Sequence, residues 1–266
     1  MKAATFDYVR PADLGEALRL LADAGDDARV LAGGQSLGPM LNLRLARPGL
    51  LIDIRRLPEL WAVEQAPDAL IVGAAVTHAA IEDGRIPDVG GTVAVLPAVA
   101  ARIAYRAVRN RGTIGGSLAH ADPAADWVTA LMALGATAEI AGAGGTSRSV
   151  ALDEFMLGAF RTALRPGEIL RAVRIPRLSA AARWGWYKVC RKPGEFAMAI
   201  GAVLIDPERN VRRTVMGATG GRPIVLDGDA AAEPPERHHA PEPIDGRIRH
   251  VALRRAFALA NGAAAR

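Results

Sequence analysis

The sequence predicts an α+β fold with a boundary near residues 176–180. Three observations predict it. Helix-like and strand-like segments alternate at short spacing through the first two thirds of the chain. An alternating apolar run over 169–175 stops at Pro176, a residue that cannot continue a ladder. Beyond it, three strand-like runs follow one another before a closing helix. The 266 residues, half of them hydrophobic and 23% charged, suffice for one large core or two smaller ones and exclude wholesale disorder.

Each element has a local reason. Asp13 is placed to cap a helix, with Glu16 completing a capping-box arrangement; Leu14, Leu18 and Leu21 then share one face and Gly25 ends the helix. Residues 29–32, 51–54 and 70–73 read as strands. Thr77 caps a short helix through Glu82. A helix is expected over 99–107, with Ile103 inside it, and another over 124–134, where Asp122 caps and Pro123 sits in the first turn. Residues 136–141 and 147–150 form a hairpin around Gly144-Gly145. Runs 184–189, 198–205 and 211–216 read as strands, 220–246 as a Pro- and Gly-rich loop, and 248–260 as the last helix.

Composition removes several function classes. Cys190 is the only cysteine, so the chain has no internal disulfide and cannot alone supply the thiolates of an iron–sulfur cluster. The five histidines lack metal-site spacing, and no metal site is expected. The net charge of +5 is carried by arginine, with Lys2, Lys188 and Lys192 the only lysines. No basic run or aromatic-interleaved stripe accompanies it, so nucleic-acid binding is not expected. No segment is apolar enough for a membrane span, and the N-terminus lacks a signal-peptide core; a cytoplasmic protein is expected.

Two glycine segments carry the functional signal. Ala32-Gly33-Gly34-Gln35-Ser36-Leu37 follows a strand directly. Paired glycines read either as a tight strand-to-helix turn or as a nest whose N–H groups approach an anion closely, with the Ser36 hydroxyl as a further donor. A second glycine turn, Gly112-Thr113-Ile114-Gly115-Gly116-Ser117, repeats the pattern about eighty residues on, with hydroxyls at Thr113 and Ser117. Two such turns suggest a diphosphate held from two sides. Neither matches the dinucleotide fingerprint, and neither is a Walker loop, since no Gly-Lys-Ser/Thr follows. Asp122 and Asp126 read as capping acids near a helix start, and Asp126 also as an acceptor for a ribose hydroxyl.

In their order and spacing, Ala32-Gly33-Gly34-Gln35-Ser36, Arg109-Asn110-Arg111-Gly112-Thr113-Ile114-Gly115-Gly116, Asp122-Pro123-Ala124-Ala125-Asp126 and Lys188 resemble the FAD-binding medium subunit of the xanthine dehydrogenase and carbon monoxide dehydrogenase family. The resemblance spans nearly the whole chain. It implies a two-subdomain FAD fold of the vanillyl-alcohol-oxidase type over 1–176, divided near residue 55, and a small C-terminal α/β domain with an antiparallel sheet over 177–266.

The resemblance also implies site residues. Ala32, Gly33, Gly34, Gln35, Ser36 and Leu37 on one side and Thr113, Gly115, Gly116 and Ser117 on the other would hold the pyrophosphate of non-covalent FAD. Asp126 would bind the ribose or adenosine side. Ile103, Ile169 and Leu170 would line the adenine or flavin pocket. Lys188 would lie by the isoalloxazine, where a cation favours reduced flavin; the same lysine also reads as an ordinary strand residue. Trp186 would stack on the ring or sit as a sheet aromatic. No acid–base catalyst is implied.

In such enzymes a molybdenum–pterin centre in a large subunit oxidises the substrate. Two [2Fe–2S] clusters in a small subunit then relay electrons to the flavin subunit, which delivers them to an external acceptor. The resemblance therefore implies both partner subunits and a dimer of heterotrimers. Gln35 stands where carbon monoxide dehydrogenases typically carry His, which argues against carbon monoxide as substrate. Ile248-Arg249 replaces a tyrosine–arginine pair common near the C-terminus. The residues alone also permit a stand-alone FAD oxidase or reductase, or a nucleotide-binding module without redox chemistry.

Overall fold

The computed structural model describes residues 2–87, 92–227 and 244–262. It is a mixed helix-and-sheet structure, as the periodicities predict. The first sheet is parallel, with strand order β1-β3-β2: β1 (Asp7–Val9), β2 (Ala28–Leu31) and β3 (Leu50–Asp53). The crossover helix α1 (Leu14–Ala24) joins β1 to β2. Asp13 caps it by accepting from Glu16 N–H at 2.7 Å, and Glu16 accepts from Ala12 N–H. Ala17 and Leu18 of α1 pack on Ala28 and Ile52, in one core with Leu57, Leu60 and Ile169. The short helix α2 (Leu37–Asn42) leaves the first glycine segment.

The second sheet has the order β4-β5-β10-β6-β7 and every pairing is antiparallel. It comprises β4 (Val63–Gln65), β5 (Ala69–Gly73), β6 (Thr137–Ala141), β7 (Ser147–Ala151) and, after the small hairpin β8 (Met156–Gly158) and β9 (Arg161–Thr162), the long strand β10 (Ile169–Pro176). Between β5 and β6 run α3 (His78–Glu82), α4 (Thr92–Ala100), α5 (Arg106–Arg109), α6 (Ile114–His120) and α7 (Asp126–Ala133). Helix α8 (Leu152–Phe155) follows β7. Thr77 caps α3, its hydroxyl accepting from Ala80 N–H at 3.1 Å.

The third sheet is antiparallel, in the order β11-β12-β13-β14: β11 (Arg183–Val189), β12 (Ala199–Asp206), β13 (Val211–Gly217) and β14 (Ile224–Asp227). All eight residues of β12 are buried because both faces are covered. On one face lies α9 (Ile244–Ala260), which comes so close that a Cβ on Gly185 would sit 1.8 Å from Ala256 O. On the other lies α7, where a Cβ on Gly217 would sit 1.9 Å from Thr129 Oγ1. Every residue of α7 is buried, as a helix between two sheets requires.

Several expectations are corrected. The helix expected over 99–107 ends at Ala100, and Ile103 lies in the turn before α5. Ala104 turns the chain there at φ +41°, and Arg109 holds the carbonyls of Ile103 and Ala104. The second glycine "turn" is the start of α6, capped by Thr113. Asp122 caps no helix: it accepts from Ala124 N–H in a local turn, and α7 starts at Asp126. The loop expected over 220–246 contains β14 and the start of α9; residues 228–243 lie outside the described residues.

Candidate functional site

The two glycine segments are in contact. A Cβ on Gly33 would lie 2.2 Å from Arg111 O and 2.7 Å from Gly112 Cα, and one on Gly116 would lie 3.7 Å from Ala32 Cβ. Gly33 is therefore glycine for close approach. Gly34 is glycine for a different reason: its φ is +71°, the left-handed region that Cβ disfavours. The N–H groups of Gly33, Gly34, Gln35, Ser36 and Leu37 find no acceptor among the described residues. Gln35 is exposed and folds back to donate to Gly33 O at 3.2 Å. This run of donors, with the Ser36 hydroxyl among them, can receive an anion.

The second segment contributes differently. Its N–H groups are already used: Ile114 donates to Val76 O, Gly115 to Ala74 O, Gly116 to Thr113 Oγ1 and Ser117 to Thr113 O. Thr113 is buried and its hydroxyl accepts the cap bond. Gly115 is glycine because α6 passes against strand-end backbone; a Cβ there would meet Ala74 Cβ at 2.4 Å. The segment thus forms a wall beside the first, with Gly116 and Ser117 half-buried.

Asp126 and Lys188, expected at separate ends of a cofactor, meet each other. Lys188 Nζ donates to Asp126 Oδ2 at 2.9 Å and to Arg102 O at 3.2 Å. Both side chains are nearly inaccessible. Burial pushes the Asp126 carboxyl up to about 6, against the pull of the Lys188 ammonium. Asp126 Oδ1 is buried and has no partner among the described residues. Lys188 reaches Asp126 because Trp184, Trp186 and Lys188 alternate onto the α7 face of β11, while Tyr187 turns to α9 and meets Arg255. Trp186 packs against Ile200 and Ala218, its Nε1 buried without a partner among the described residues.

The remaining predicted residues are dispersed. Ile169 and Leu170, adjacent on β10, point into two different cores. Ile103 packs at the edge of the larger one. A cleft of about 320 Å3 opens beside its turn, bordered by Arg102, Tyr105, Arg106 and Pro193. A larger cavity, about 430 Å3, lies between β11 and α9 on the far side of the third sheet. Sequence reasoning missed His78, which is buried beneath Gly112, and Arg109, whose guanidinium joins Glu82 to the 103–104 turn. Arg109 stood in the motif that carries the resemblance; His78, a lone histidine between Thr77 and Ala79, carried no signal. Among the described residues no group of three or more His, Cys, Asp or Glu could hold a metal ion, and no helix is long and apolar enough to cross a membrane.

The arrangement is thus two glycine segments in contact within an α+β fold, one of them carrying a run of N–H groups that find no acceptor among the described residues. Residues 4–178 match the family described as the FAD binding domain in molybdopterin dehydrogenase, and the chain belongs to that family. It is 38% identical over 223 residues, 83% of this chain and 74% of the relative, to the 6-hydroxypseudooxynicotine dehydrogenase complex subunit alpha of Paenarthrobacter nicotinovorans. It is 37% identical to caffeine dehydrogenase subunit beta of Pseudomonas sp. (strain CBB1), over 84% of this chain and 76% of that one. Among solved structures, a chain of reconstituted CO dehydrogenase from Oligotropha carboxidovorans superposes with TM-score 0.86 at 29% identity, covering 99% of this chain and all of that one. A chain of quinoline 2-oxidoreductase from Pseudomonas putida 86 gives 0.82 at 36% identity, with 99% of each chain covered. This chain is accordingly the FAD-binding medium subunit of a molybdenum hydroxylase, an oxidoreductase subunit.

Proposed function

We propose that this chain carries electrons from iron–sulfur clusters of a small partner subunit through non-covalent FAD to an external acceptor, while a large subunit holds the molybdenum–pterin centre. The contact between the two glycine segments, with the unpaired N–H groups of residues 33–37 beside it, carries the reading of the site. Those N–H groups and the Ser36 hydroxyl would hold the pyrophosphate, and Gly116 and Ser117 would form the facing wall. The free Oδ1 of Asp126 would accept from a ribose hydroxyl, with Lys188 holding the carboxylate ionised against its burial. Ile103 and the turn around it would border the ring system, with Trp186 behind Lys188. FAD supplies the redox chemistry; the protein supplies placement, charge and exclusion of water.

In the same reading, residues 1–176 form a vanillyl-alcohol-oxidase-type FAD domain with subdomains near 1–55 and 56–176, residues 177–266 form the C-terminal domain, and the complex is a cytoplasmic dimer of heterotrimers. The separation of the three larger sheets among the described residues supports the division. The single cysteine supports the allocation of clusters to a partner. The test is direct. Purified full-length protein should be yellow, release FAD on acid precipitation, and co-purify with molybdenum and iron when the partner subunits are co-expressed. A colourless protein that binds ADP but not FAD would refute the reading.

A further inference from the structure

The second glycine segment rests on a buried histidine. His78 opens α3, and its Nδ1 accepts from Trp127 Nε1–H at 3.0 Å. An imidazole that accepts at Nδ1 carries its proton on Nε2. The Nε2 edge lies against Gly112: a Cβ there would sit 2.8 Å from Nε2 and 2.9 Å from Cδ2. The backbones are pinned as well. His78 N–H donates to Gly112 O at 2.9 Å, and Thr77 bridges Thr113. Gly33 in turn presses on Arg111 O and Gly112 Cα. Imidazole, Gly112 and Gly33 are thus in successive contact, with no room for a side chain at either glycine.

We infer that His78 is a positioning residue for the cofactor: its ring sets the height of Gly112 and, through Gly112, the place of Gly33 and the N–H groups that follow it. The inference rests on reading residues 33–37 as the phosphate cradle. The residue type fits the task. A flat ring is thin enough to lie under a glycine, and its Nδ1 satisfies the Trp127 N–H, which has no other acceptor among the described residues. An aliphatic side chain could do the first but not the second.

The test is a double-variant cycle in the full-length protein, with FAD affinity read by flavin fluorescence and the thermal midpoint of FAD-free protein read by near-UV circular dichroism. Gly112→Ala should weaken FAD binding by about tenfold or more, because the new methyl meets the imidazole. His78→Ala should also weaken it, by about fivefold. In His78→Ala/Gly112→Ala the alanine at 112 should add less than about threefold to the effect of His78→Ala, since the obstruction is gone. Should His78→Ala not fold, His78→Ser, which keeps a hydroxyl near Trp127, replaces it in both arms. Equal losses from Gly112→Ala in both backgrounds would overturn the inference. So would a His78→Ala protein with a lowered midpoint and unchanged FAD affinity, which marks packing alone. Wild-type protein that takes up no FAD would overturn the cradle itself and the inference with it.

Discussion

Lys188 on β11 and Asp126 at the start of α7 form a buried ion pair 2.9 Å long, across 62 residues of sequence. It ties the third sheet to the helix beneath it at the level of the Arg102 carbonyl. Removing one partner of such a pair leaves an uncompensated buried charge. Lys188→Met should therefore destabilise the protein by about 3–5 kcal/mol in urea titrations at neutral pH. Asp126→Leu/Lys188→Met should recover most of that stability, because both charges are gone. It should not recover FAD binding, because the free Oδ1 is gone too. Parallel recovery of both would remove Asp126 from the cofactor site.

Gly33 and Gly34 should fail in different ways. Gly33→Ala forces a methyl into the Arg111 carbonyl, a backbone atom that cannot rotate aside, so flavin retention should be abolished. Gly34→Ala meets only the Leu31 side chain at 3.2 Å but must hold φ +71°, at a cost of about 1–2 kcal/mol. It should retain FAD with weakened affinity. The flavin-to-protein absorbance ratio of the two purified variants separates these outcomes.

The His78 contribution to stability should be lost as pH falls from about 6.5 toward 4, while the raised Asp126 carboxyl, which takes up its proton in the folded state between about 6 and 4, acts in the opposite sense. Burial, reinforced by the charge of Arg109, pulls the His78 pKa down from 6.5 to about 4. Within that window the unfolded chain binds a proton that the folded imidazole refuses, so acid favours unfolding, by up to about 3 kcal/mol at the lower end. Above pH 6.5 the contribution is constant. His78→Asn, which keeps an acceptor near Trp127 without the titrating ring, should turn the urea-midpoint profile toward higher stability at acid pH relative to the unsubstituted protein over this window. An unchanged slope would show that another group carries it.

Arg109 should matter more than the salt bridge it makes. Its Nε and one terminal nitrogen grip Glu82 at 2.7 and 3.0 Å, and the other terminal nitrogen donates to the carbonyls of Ile103 and Ala104, each at 2.9 Å. Lysine keeps the charge but not the fork. Arg109→Lys should cost about 2 kcal/mol and speed hydrogen exchange in the 102–105 turn. Glu82→Gln, which leaves the carbonyl contacts intact, should cost at most about 1 kcal/mol and leave that exchange slow.

Local chemistry was legible where it is local. Asp13 and Thr77 announce their helices because a capping side chain bonds its own first turn. The long strands β10, β11, β12 and β13 follow from their alternation and apolar runs. Short strands such as β1 and β4, three residues each, offer too little pattern to read. The glycine pairs were read alike because a missing Cβ looks the same whether it admits an anion, as residues 33–34 can, or a neighbouring backbone, as Gly115 does. The meeting of Asp126 with Lys188, and the descent of Gly112 onto His78, depend on how distant segments stack. No window of sequence contains both partners.

The matched family region stops at residue 178, yet α7 in its midst is flanked by β12 and β13, which lie well beyond that point. Cutting the chain there would strip Thr129 and its neighbours of their cover and wet a helix made to stay dry. The portion named for the flavin is therefore not closed on itself: its innermost helix borrows its roof from the last third of the polypeptide.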